Sequence, residues 1–254
     1  MRARGPSALR LALPATSANL GPGFDAAAVA LALELRLTGV PAPAWRLEAR
    51  GRNRVVCGNL RDNLLLTTYR QVLAGAGRPV LPLHVSITNQ IPIGKGCGSS
   101  AAARLAGILL AVHFGRLGWP EARIEQTAAA LEGHGDNAAA CWRGGAVCCG
   151  GQAAEFYALE LNRPRWPLLL AVPAAALATE AARRALPARY RRADAIANVQ
   201  AAMQLAAALA TGRRDGLARA MADRLHQPYR SRFCPLLGAL QPLAADPRGA
   251  VAGV

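Results

Sequence analysis

A glycine-rich stretch near the middle of the chain has the composition of a loop that binds phosphate. Residues 92–100 are Pro-Ile-Gly-Lys-Gly-Cys-Gly-Ser-Ser, so three glycines fall within five residues. Glycine lets the backbone approach a ligand closely with its N–H groups turned inward, and a helix that begins after the loop adds a partial positive charge. A nucleotide is the ligand that this arrangement favours. The spacing matches neither the P-loop nor the dinucleotide-binding fingerprint, and a tight structural turn remains the alternative interpretation.

Two side chains of this loop could also take part in the chemistry. Lys95 is the only lysine of the chain, and its ammonium could contact a bound phosphate as a mobile point charge. We favour the simpler interpretation of Lys95 as a solvated side chain, because backbone donors already suit the phosphate. Ser100 at the start of the predicted helix is a candidate ligand of Mg²⁺, an ion that takes oxygen ligands.

Two further stretches place amide and carboxylate side chains on loops interrupted by glycine. Residues 14–25 are Pro-Ala-Thr-Ser-Ala-Asn-Leu-Gly-Pro-Gly-Phe-Asp, and residues 131–137 are Leu-Glu-Gly-His-Gly-Asp-Asn. Side chains of these types often do no more than cap turns. Neither stretch on its own therefore indicates a binding site.

Hydrophobic periodicity predicts the elements that must position these loops. Leucines alternate with other residues over Leu9–Leu13 and again over Val29–Leu37, which predicts two paired strands with a turn cluster at Ser17–Gly23 between them. The phosphate loop lies between a predicted strand, Leu81–Thr88, and a predicted buried helix, Ser99–Phe114. Further helices are predicted at Asn63–Ala74, Glu121–Leu131, Thr179–Leu186, Ala193–Ala210, Asp215–Leu225 and Leu236–Ala245, and further strands at Gly144–Gly151, Phe156–Leu161 and Leu168–Val172.

Composition limits the class of protein. A chain of 254 residues with 52% hydrophobic residues can bury a sizeable core, which excludes general disorder. Strands followed by a helix-rich segment predict an α+β fold with one domain at 1–160 and a second at 161–254. No apolar run reaches the roughly 20 residues that cross a bilayer, and we do not expect the N-terminal stretch to act as a signal peptide, because Arg10 and Pro14 interrupt it. We therefore expect a cytoplasmic protein with no membrane partner.

Charge and cysteine content bear on whether the chain is a nucleic-acid-binding module or a zinc protein. The net charge of +15 attracts polyanions, but aromatic residues make up only 5% of the chain and no recognised nucleic-acid-binding motif is present. A basic nucleic-acid-binding module is therefore an alternative that we do not favour. The six cysteines form no Cys-x-x-Cys pair and have no zinc-type spacing with the four histidines. We expect reduced thiols and no zinc site.

Taken together and in this order, the motifs resemble the homoserine kinase family of the GHMP kinase superfamily. The likeness extends from Leu13 to about Val254. The first motif distinguishes homoserine kinases from their sister kinases, whereas the phosphate loop is shared across the superfamily. The segments that match are Pro14–Asp25, Pro92–Ala102, Glu132–Asn137, Thr179–Pro187 and His226–Arg230.

The resemblance implies a fold and an activity. The fold would have an N-terminal S5-like α/β domain and a C-terminal, helix-rich, ferredoxin-like domain. The activity would be ATP-dependent phosphorylation of the hydroxyl of L-homoserine in threonine biosynthesis, with Mg²⁺ as cofactor and no nucleic acid as partner. Whether the chain forms a homodimer is left open.

The resemblance also implies roles for individual residues. Asn19 and Asp25 would hold homoserine, with the carboxylate of Asp25 on the substrate ammonium, and His134 and Asn137 would line the same pocket. Arg183 and Arg230 would face the substrate carboxylate and the phosphates, and Ser100 and Glu132 would ligate Mg²⁺. No general base is implied. ATP would be bound by Asn63 on the adenine side and by the loop residues Pro92, Ile93, Gly94, Lys95, Gly96, Cys97, Gly98, Ser99, Ser100, Ala101 and Ala102.

The chain departs from the family pattern in two places. The loop has Cys97 where the family usually has leucine, and Lys95 where the family has small residues of variable type. After Arg248–Val254 the family continues into a third Gly/Ser-rich motif, followed by further strand and helix. We therefore expect a kinase truncated at its C-terminus. Two alternatives follow: a non-catalytic remnant that only binds nucleotide or amino acid, and a sister kinase that acts on mevalonate or a sugar.

Overall fold

A long antiparallel hairpin lies at the centre of a six-stranded sheet. The computed structural model describes residues 7–151, 153–161, 166–174 and 179–245. Strand β1 (Leu9–Asn19) pairs along its length with β2 (Gly23–Pro41), and Leu13 lies opposite Leu35. This register places the leucines of both strands on one face, where they enter the core. The alternation of leucines in the sequence is the cause of that register.

Four shorter strands complete the sheet around β2. Strand β4 (Leu83–Asn89) pairs antiparallel with the second half of β2, and β3 (Arg46–Gly51) pairs parallel with β4. Strand β5 (Ala146–Gly150) pairs antiparallel with the first half of β2 and with β6 (Tyr157–Glu160). The order is β3-β4-β2-β5-β6, with β1 on the other side of β2.

Helices cover the sheet and bury its apolar face. The first helix, α1 (Arg54–Cys57), is a single turn. The others in this part are α2 (Leu64–Gly75), α3 (Ser99–Phe114), α4 (Glu121–Glu132) and α5 (Asp136–Arg143). Helix α3 is apolar on nearly all sides and lies in the core. Gly107 lets α2 approach it, because a Cβ at that position would lie 2.5 Å from the carbonyl oxygen of Leu65.

The remaining described residues are mainly helical. The helices are α6 (Thr179–Arg184), α7 (Arg192–Thr211), α8 (Leu217–Ala220), α9 (Gln227–Arg230) and α10 (Pro235–Leu240), and α10 continues as a 3₁₀ turn at Gln241–Ala245. Leu205 and Leu209 of α7 pack in one buried cluster with Ala146 of β5. The sheet and the helices together confirm the α+β class. The division into two domains at residue 160 stays a prediction.

Most predicted elements are confirmed, but three predictions are wrong. The turn cluster at Ser17–Gly23 is shorter than predicted, since backbone pairing continues to Asn19 and resumes at Gly23. Residues Leu168–Val172 form no strand in the described structure, and Leu169 is 98% exposed. The helix predicted at Asp215–Leu225 is limited to Leu217–Ala220.

The shortened helix has a local cause in the side chain of Asp223. Its carboxylate accepts hydrogen bonds from the backbone N–H groups of Leu225, His226 and Gln227. A carboxylate that binds the backbone N–H groups of the next residues competes with the helical hydrogen-bond pattern, so the helix does not continue through this segment. The sequence analysis also missed β3, α1 and α5. Strand β3 is an edge strand with exposed arginines, so its apolar pattern is weak.

The structure also bears on the cysteines and on membrane-spanning helices. None of the six cysteines forms a disulfide. Among the described residues, no helix has the length and apolar character that a membrane span needs.

Candidate active site

The phosphate loop connects β4 to α3 as the sequence predicts. Gly94, Gly96 and Gly98 have φ angles of 70°, 72° and 68°, a region in which glycine is the residue without strain. Gly98 is the N-cap of α3, and no side chain caps that helix. The first N–H groups of α3 therefore point into the loop with the positive end of the helix dipole. The structure thus has the features of an anion cradle at residues 94–100.

The turn between β1 and β2 presents Asn19 and Asp25 in a strained backbone. Both residues have left-handed φ angles, 70° for Asn19 and 57° for Asp25. The side-chain oxygen of Asn19 accepts a hydrogen bond from the backbone N–H of Asp25 at 3.0 Å. Strain of this kind persists where surrounding contacts impose it, and it is frequent at binding sites. The amide of Asn19 thus fixes the position from which the carboxylate of Asp25 extends.

Arg183 of α6 closes over this carboxylate. Its two terminal nitrogens donate hydrogen bonds of 2.9 and 2.5 Å to the two oxygens of Asp25. The hydrogen bond to Asp25 is the largest cause that raises the pKa of Arg183. The guanidinium also lies 5.1 Å from the ring centre of Phe24, and that of Arg230 lies 5.9 Å from it. The ring of Phe24 therefore makes cation–π contacts with both arginines.

Arg230 faces the same region, but unlike Arg183 it has no paired carboxylate to balance its charge among the described residues. It forms no ion pair with any residue that the structure describes. Burial, followed by repulsion from Arg183, lowers its pKa. A cation that is half-buried beside another cation is a natural binding group for an anion such as a carboxylate or a phosphate.

The tip of the hairpin is held by the helical part of the chain. His226 stacks on Phe24 at 5.0 Å, and its Nε2 donates a hydrogen bond of 2.7 Å to the carbonyl oxygen of Gly21. The amide of Asn198 donates to the carbonyl oxygen of Pro22 at 3.0 Å. A Cβ on Gly21 would lie 2.3 Å from the backbone oxygen of Met221. Sequence reasoning placed His226 in a matching motif without a role, and it missed Asn198.

His134 and Asn137 meet at the carboxylate of Asp136, the first residue of α5. Asp136 is 1% exposed, and its Oδ1 accepts hydrogen bonds from His134 Nδ1 at 2.9 Å and from the backbone and side-chain nitrogens of Asn137. The hydrogen bond to Asp136 raises the pKa of His134. Ligand-type atoms of Asp25, His134 and Asp136 all lie within 4.8 Å of one another. The predicted pocket residues Asp25, His134 and Arg183 therefore lie close together, and Asn19 contacts the backbone of Asp25.

Thr16 of β1 joins this pocket to the phosphate loop. Its backbone N–H donates a 3.1 Å hydrogen bond to the carbonyl oxygen of Cys97, and its hydroxyl donates a 2.6 Å bond to Oδ1 of Asn137. A Cβ on Gly98 would lie 1.8 Å from that hydroxyl. The loop and the pocket are therefore in direct contact. Sequence reasoning did not single out Thr16 or Asp136, although both lie inside the motifs that it quoted.

Ser100 and Glu132 meet beside the start of α3. The hydroxyl of Ser100 donates a 2.7 Å hydrogen bond to one oxygen of Glu132, and the guanidinium Nε of Arg104 lies 2.6 Å from the other oxygen. Glu132 has a side chain that is only 6% exposed. A hydroxyl and a carboxylate at the edge of a phosphate cradle are hard oxygen donors of the kind that Mg²⁺ prefers. The donor set thus fits the ion that the sequence predicted.

Three of the residues predicted to bind ATP contact other parts of the chain. Asn63 caps α2, since its amide accepts from Leu66 N–H and donates to the carbonyl oxygen of Cys57. The ammonium of Lys95 donates to the carbonyl oxygen of Ala174. The thiol of Cys97 is buried, and burial raises its pKa. A role of Asn63 towards adenine stays a prediction.

Comparison with known proteins gives a consistent family. Residues 63–145 match the model of the GHMP kinases N terminal domain. A homoserine kinase of Solibacter usitatus is 41% identical over 237 residues, which cover 92% of this chain and 78% of that protein. The crystal structure of homoserine kinase from Cytophaga hutchinsonii superposes with a TM-score of 0.73 over 100% of this chain and 82% of that one, at 20% identity.

A third similar structure was solved with a nucleotide analogue. Phosphomevalonate kinase of Streptococcus pneumoniae, solved in complex with phosphomevalonate and AMPPNP, superposes with a TM-score of 0.62 at 15% identity. The match covers 94% of this chain and 86% of that one. At such low identity these two structures show a shared fold and nothing finer.

Proposed function

Since the chain belongs to the homoserine kinase family of the GHMP kinases, we propose that it transfers the terminal phosphoryl group of ATP to the side-chain hydroxyl of L-homoserine. The products are O-phospho-L-homoserine and ADP, and the reaction is a step of threonine biosynthesis. The homoserine oxygen forms the new bond to phosphorus as the bond from phosphorus to the bridging oxygen of ADP breaks, and the hydroxyl proton leaves to solvent. A cytoplasmic location and a homodimer stay predictions.

The contact of Thr16 with Cys97 and Gly98 is the observation that carries this proposal. It joins the phosphate loop directly to the motif that contains Thr16 and Asp25. Two reactants held side by side in a fixed orientation react as if within one molecule, and this effect supplies much of the acceleration in phosphoryl transfer. A loop and a pocket on opposite faces of the molecule would leave no such route.

The pocket has charges that suit a free amino acid. An amino acid carries an ammonium and a carboxylate, and the site offers Asp25 for the first and Arg183 with Arg230 for the second. Asp25 and Arg183 pair with each other in the structure. Because the substrate provides both charges, it can replace each partner of that pair with one of its own groups. His134 and Asn137 would then face the remainder of the substrate, with Asn19 fixing Asp25 beside it.

The phosphate loop would receive the nucleotide. Backbone N–H groups of residues 94–101 and the N-terminus of α3 suit the phosphates. Ser100 and Glu132 would hold Mg²⁺, which neutralises phosphate charge when bound. Arg230, which has no ion-pair partner among the described residues, can add positive charge on the substrate side. We assign no general base, because alignment and charge neutralisation dominate this type of reaction.

The test is turnover by the purified full chain. ATP, Mg²⁺ and L-homoserine should yield ADP in a coupled assay, and ³¹P NMR should show a phosphomonoester of homoserine. A parallel panel with mevalonate and galactose should give no turnover above background. Turnover of a panel compound but not of homoserine would identify a sister kinase and overturn the proposal.

Two further outcomes would also overturn it. Nucleotide binding without turnover of any substrate would indicate a non-catalytic remnant. Salt-sensitive retention on DNA without any response to ATP would favour a nucleic-acid-binding module, which the charge of +15 suggests.

A further inference from the structure

Thr16 is fully buried at the junction between the two halves of the site. Its exposure is 0%, and its neighbours are the phosphate loop on one side and Asn137 of α5 on the other. The two contacts use different parts of the residue. The backbone N–H binds Cys97, whereas the side-chain hydroxyl binds Asn137. A substitution of the side chain therefore leaves the backbone hydrogen bond to Cys97 in place and removes the hydrogen bond to Asn137.

The hydroxyl of Thr16 and the carboxylate of Asp136 together hold the amide of Asn137 in one orientation. The carboxylate of Asp136 can only accept hydrogen bonds, so the amide must direct its nitrogen to Asp136 and its oxygen to Thr16. One amide N–H is used by Asp136, and the second is left for a ligand. A rotated amide would place its oxygen against the carboxylate of Asp136, which is unfavourable.

We propose that Thr16 is a positioning residue, which acts on homoserine through the amide of Asn137. This inference rests on the proposed function, because it concerns the same pocket and the same substrate. Gly98 lies against the hydroxyl, at a φ of 68°, so the orientation of the amide is fixed directly beside the N-terminus of α3. Thr16 aligns the pocket with the phosphate loop and takes no direct part in the chemical step.

Three single variants separate this role from simple packing. Thr16→Val keeps the shape and removes the hydroxyl, and Thr16→Ser keeps the hydroxyl. The matched control is Thr68→Val, because Thr68 of α2 is equally buried and its hydroxyl has no hydrogen-bond partner among the residues that the structure describes. The kcat of Thr16→Val with homoserine should fall about fivefold or more, because the loss of one buried hydrogen bond costs about 1 kcal/mol.

The kcat of the other two variants and the dissociation constant of ADP should change little. Thr16→Ser should stay within about threefold of the wild type, and Thr68→Val should not change kcat. The dissociation constant of ADP should be unchanged in all three variants, because the backbone bond to Cys97 remains. Equal loss in Thr16→Val and Thr68→Val would overturn the proposal, and so would failure of the folded serine variant to recover activity.

A double-mutant cycle tests the path through Asn137. If Thr16 acts through this amide, the variant with both Thr16→Ala and Asn137→Ala should be no slower than Asn137→Ala alone. Multiplied losses would overturn the inference. This cycle also serves if the valine variant does not fold, since alanine leaves room for relaxation.

An NMR readout keeps this inference distinct from the proposed function. The side-chain NH₂ resonances of Asn137, assigned by their absence in Asn137→Ala, should shift in Thr16→Val and stay in place in Thr16→Ser and Thr68→Val. This measurement needs no turnover. Wild-type protein that is inactive on homoserine would sink the proposed function, whereas unshifted resonances in Thr16→Val would sink the role of Thr16.

Discussion

Arg183 binds Asp25 through two parallel hydrogen bonds, and in doing so it covers the carboxylate that we assign to the substrate ammonium. Each side chain is 34% exposed, so the pair lies at the mouth of the pocket rather than in its interior. A planar guanidinium and a carboxylate fit in this geometry without strain. The pair must open when an amino acid enters, and the two charges of the amino acid compensate both partners.

Asp25→Asn should remove the binding of the substrate ammonium. Loss of one partner in a half-buried charge contact weighs at least about 2 kcal/mol, so kcat/KM for homoserine should fall about 30-fold or more. The dissociation constant of ADP should change little, because the hydrogen bonds of Asp25 within the described residues go to Asn19, Cys149 and Arg183 and not to the loop. Steady-state kinetics and calorimetry measure both quantities.

The matched control is Asp215→Asn, since Asp215 also pairs with an arginine but lies in solvent. It should behave as the wild type. Unchanged kcat/KM in Asp25→Asn would show that the carboxylate has no part in binding homoserine.

Gly98→Ala should damage both stability and activity through a steric clash. The new Cβ would lie 1.8 Å from the hydroxyl of Thr16, and the φ of 68° is strained for alanine. Gly118→Ala has a similar φ of 62° and open space around its Cβ. That control should lose only the cost of the backbone conformation, about 1–2 kcal/mol. Equal losses of Tm in the two variants would contradict the predicted contact between Gly98 and Thr16.

Arg104→Gln should increase the affinity for a divalent metal. The guanidinium of Arg104 lies 2.6 Å from an oxygen of Glu132, which we assign to Mg²⁺, so its charge competes with the ion. Without Arg104, half-saturation with Mg²⁺ in the presence of ADP should require a concentration about two- to fivefold lower. Titration calorimetry measures this constant without turnover.

The exposed Arg78 supplies the control for this effect. Arg78→Gln removes the same charge elsewhere on the surface and should leave the constant unchanged. An equal shift in both variants would indicate a general effect of net charge instead of local competition.

The local parts of this site follow from the sequence, whereas the distant contacts do not. The phosphate loop and α3 were predicted within one or two residues, because glycine spacing and an unbroken apolar run are local signals. The bond between Arg183 and Asp25 joins residues 158 positions apart, and no periodicity points to it. The family resemblance placed both residues at the pocket, but with substrate between them.

The wrong and missed elements have a common physical origin. Leu168–Val172 has the apolar composition of a strand, but a strand forms only where a partner strand supplies its hydrogen bonds. Asp223 ends a predicted helix because its carboxylate binds the following backbone N–H groups. The roles of Thr16 and Asp136 were not predicted, because they depend on hydrogen bonds to other residues, and the sequence does not show which residues those are. All four cases depend on neighbours that a single sequence does not specify.

His134 should make the free energy of unfolding depend on pH. Its hydrogen bond to Asp136 raises its pKa above the ordinary value of 6.5. A raised pKa in the folded state means that the folded protein binds the proton more tightly than the unfolded chain does. The resulting stabilisation is complete below about pH 6.5 and is lost as the pH rises through the raised pKa. His134→Gln should therefore lower the free energy of unfolding more at pH 5.5 than at pH 8.5.

His226 supplies a control of opposite sign. Burial lowers its pKa below 6.5, so its neutral form is favoured by folding and its contribution is lost as the pH falls. His226→Gln should accordingly cost less stability at pH 5.5 than at pH 8.5. Urea titrations of the three proteins at both pH values give the differences. An effect of His134→Gln that does not change with pH would mean that Asp136 does not hold the imidazolium in the folded protein.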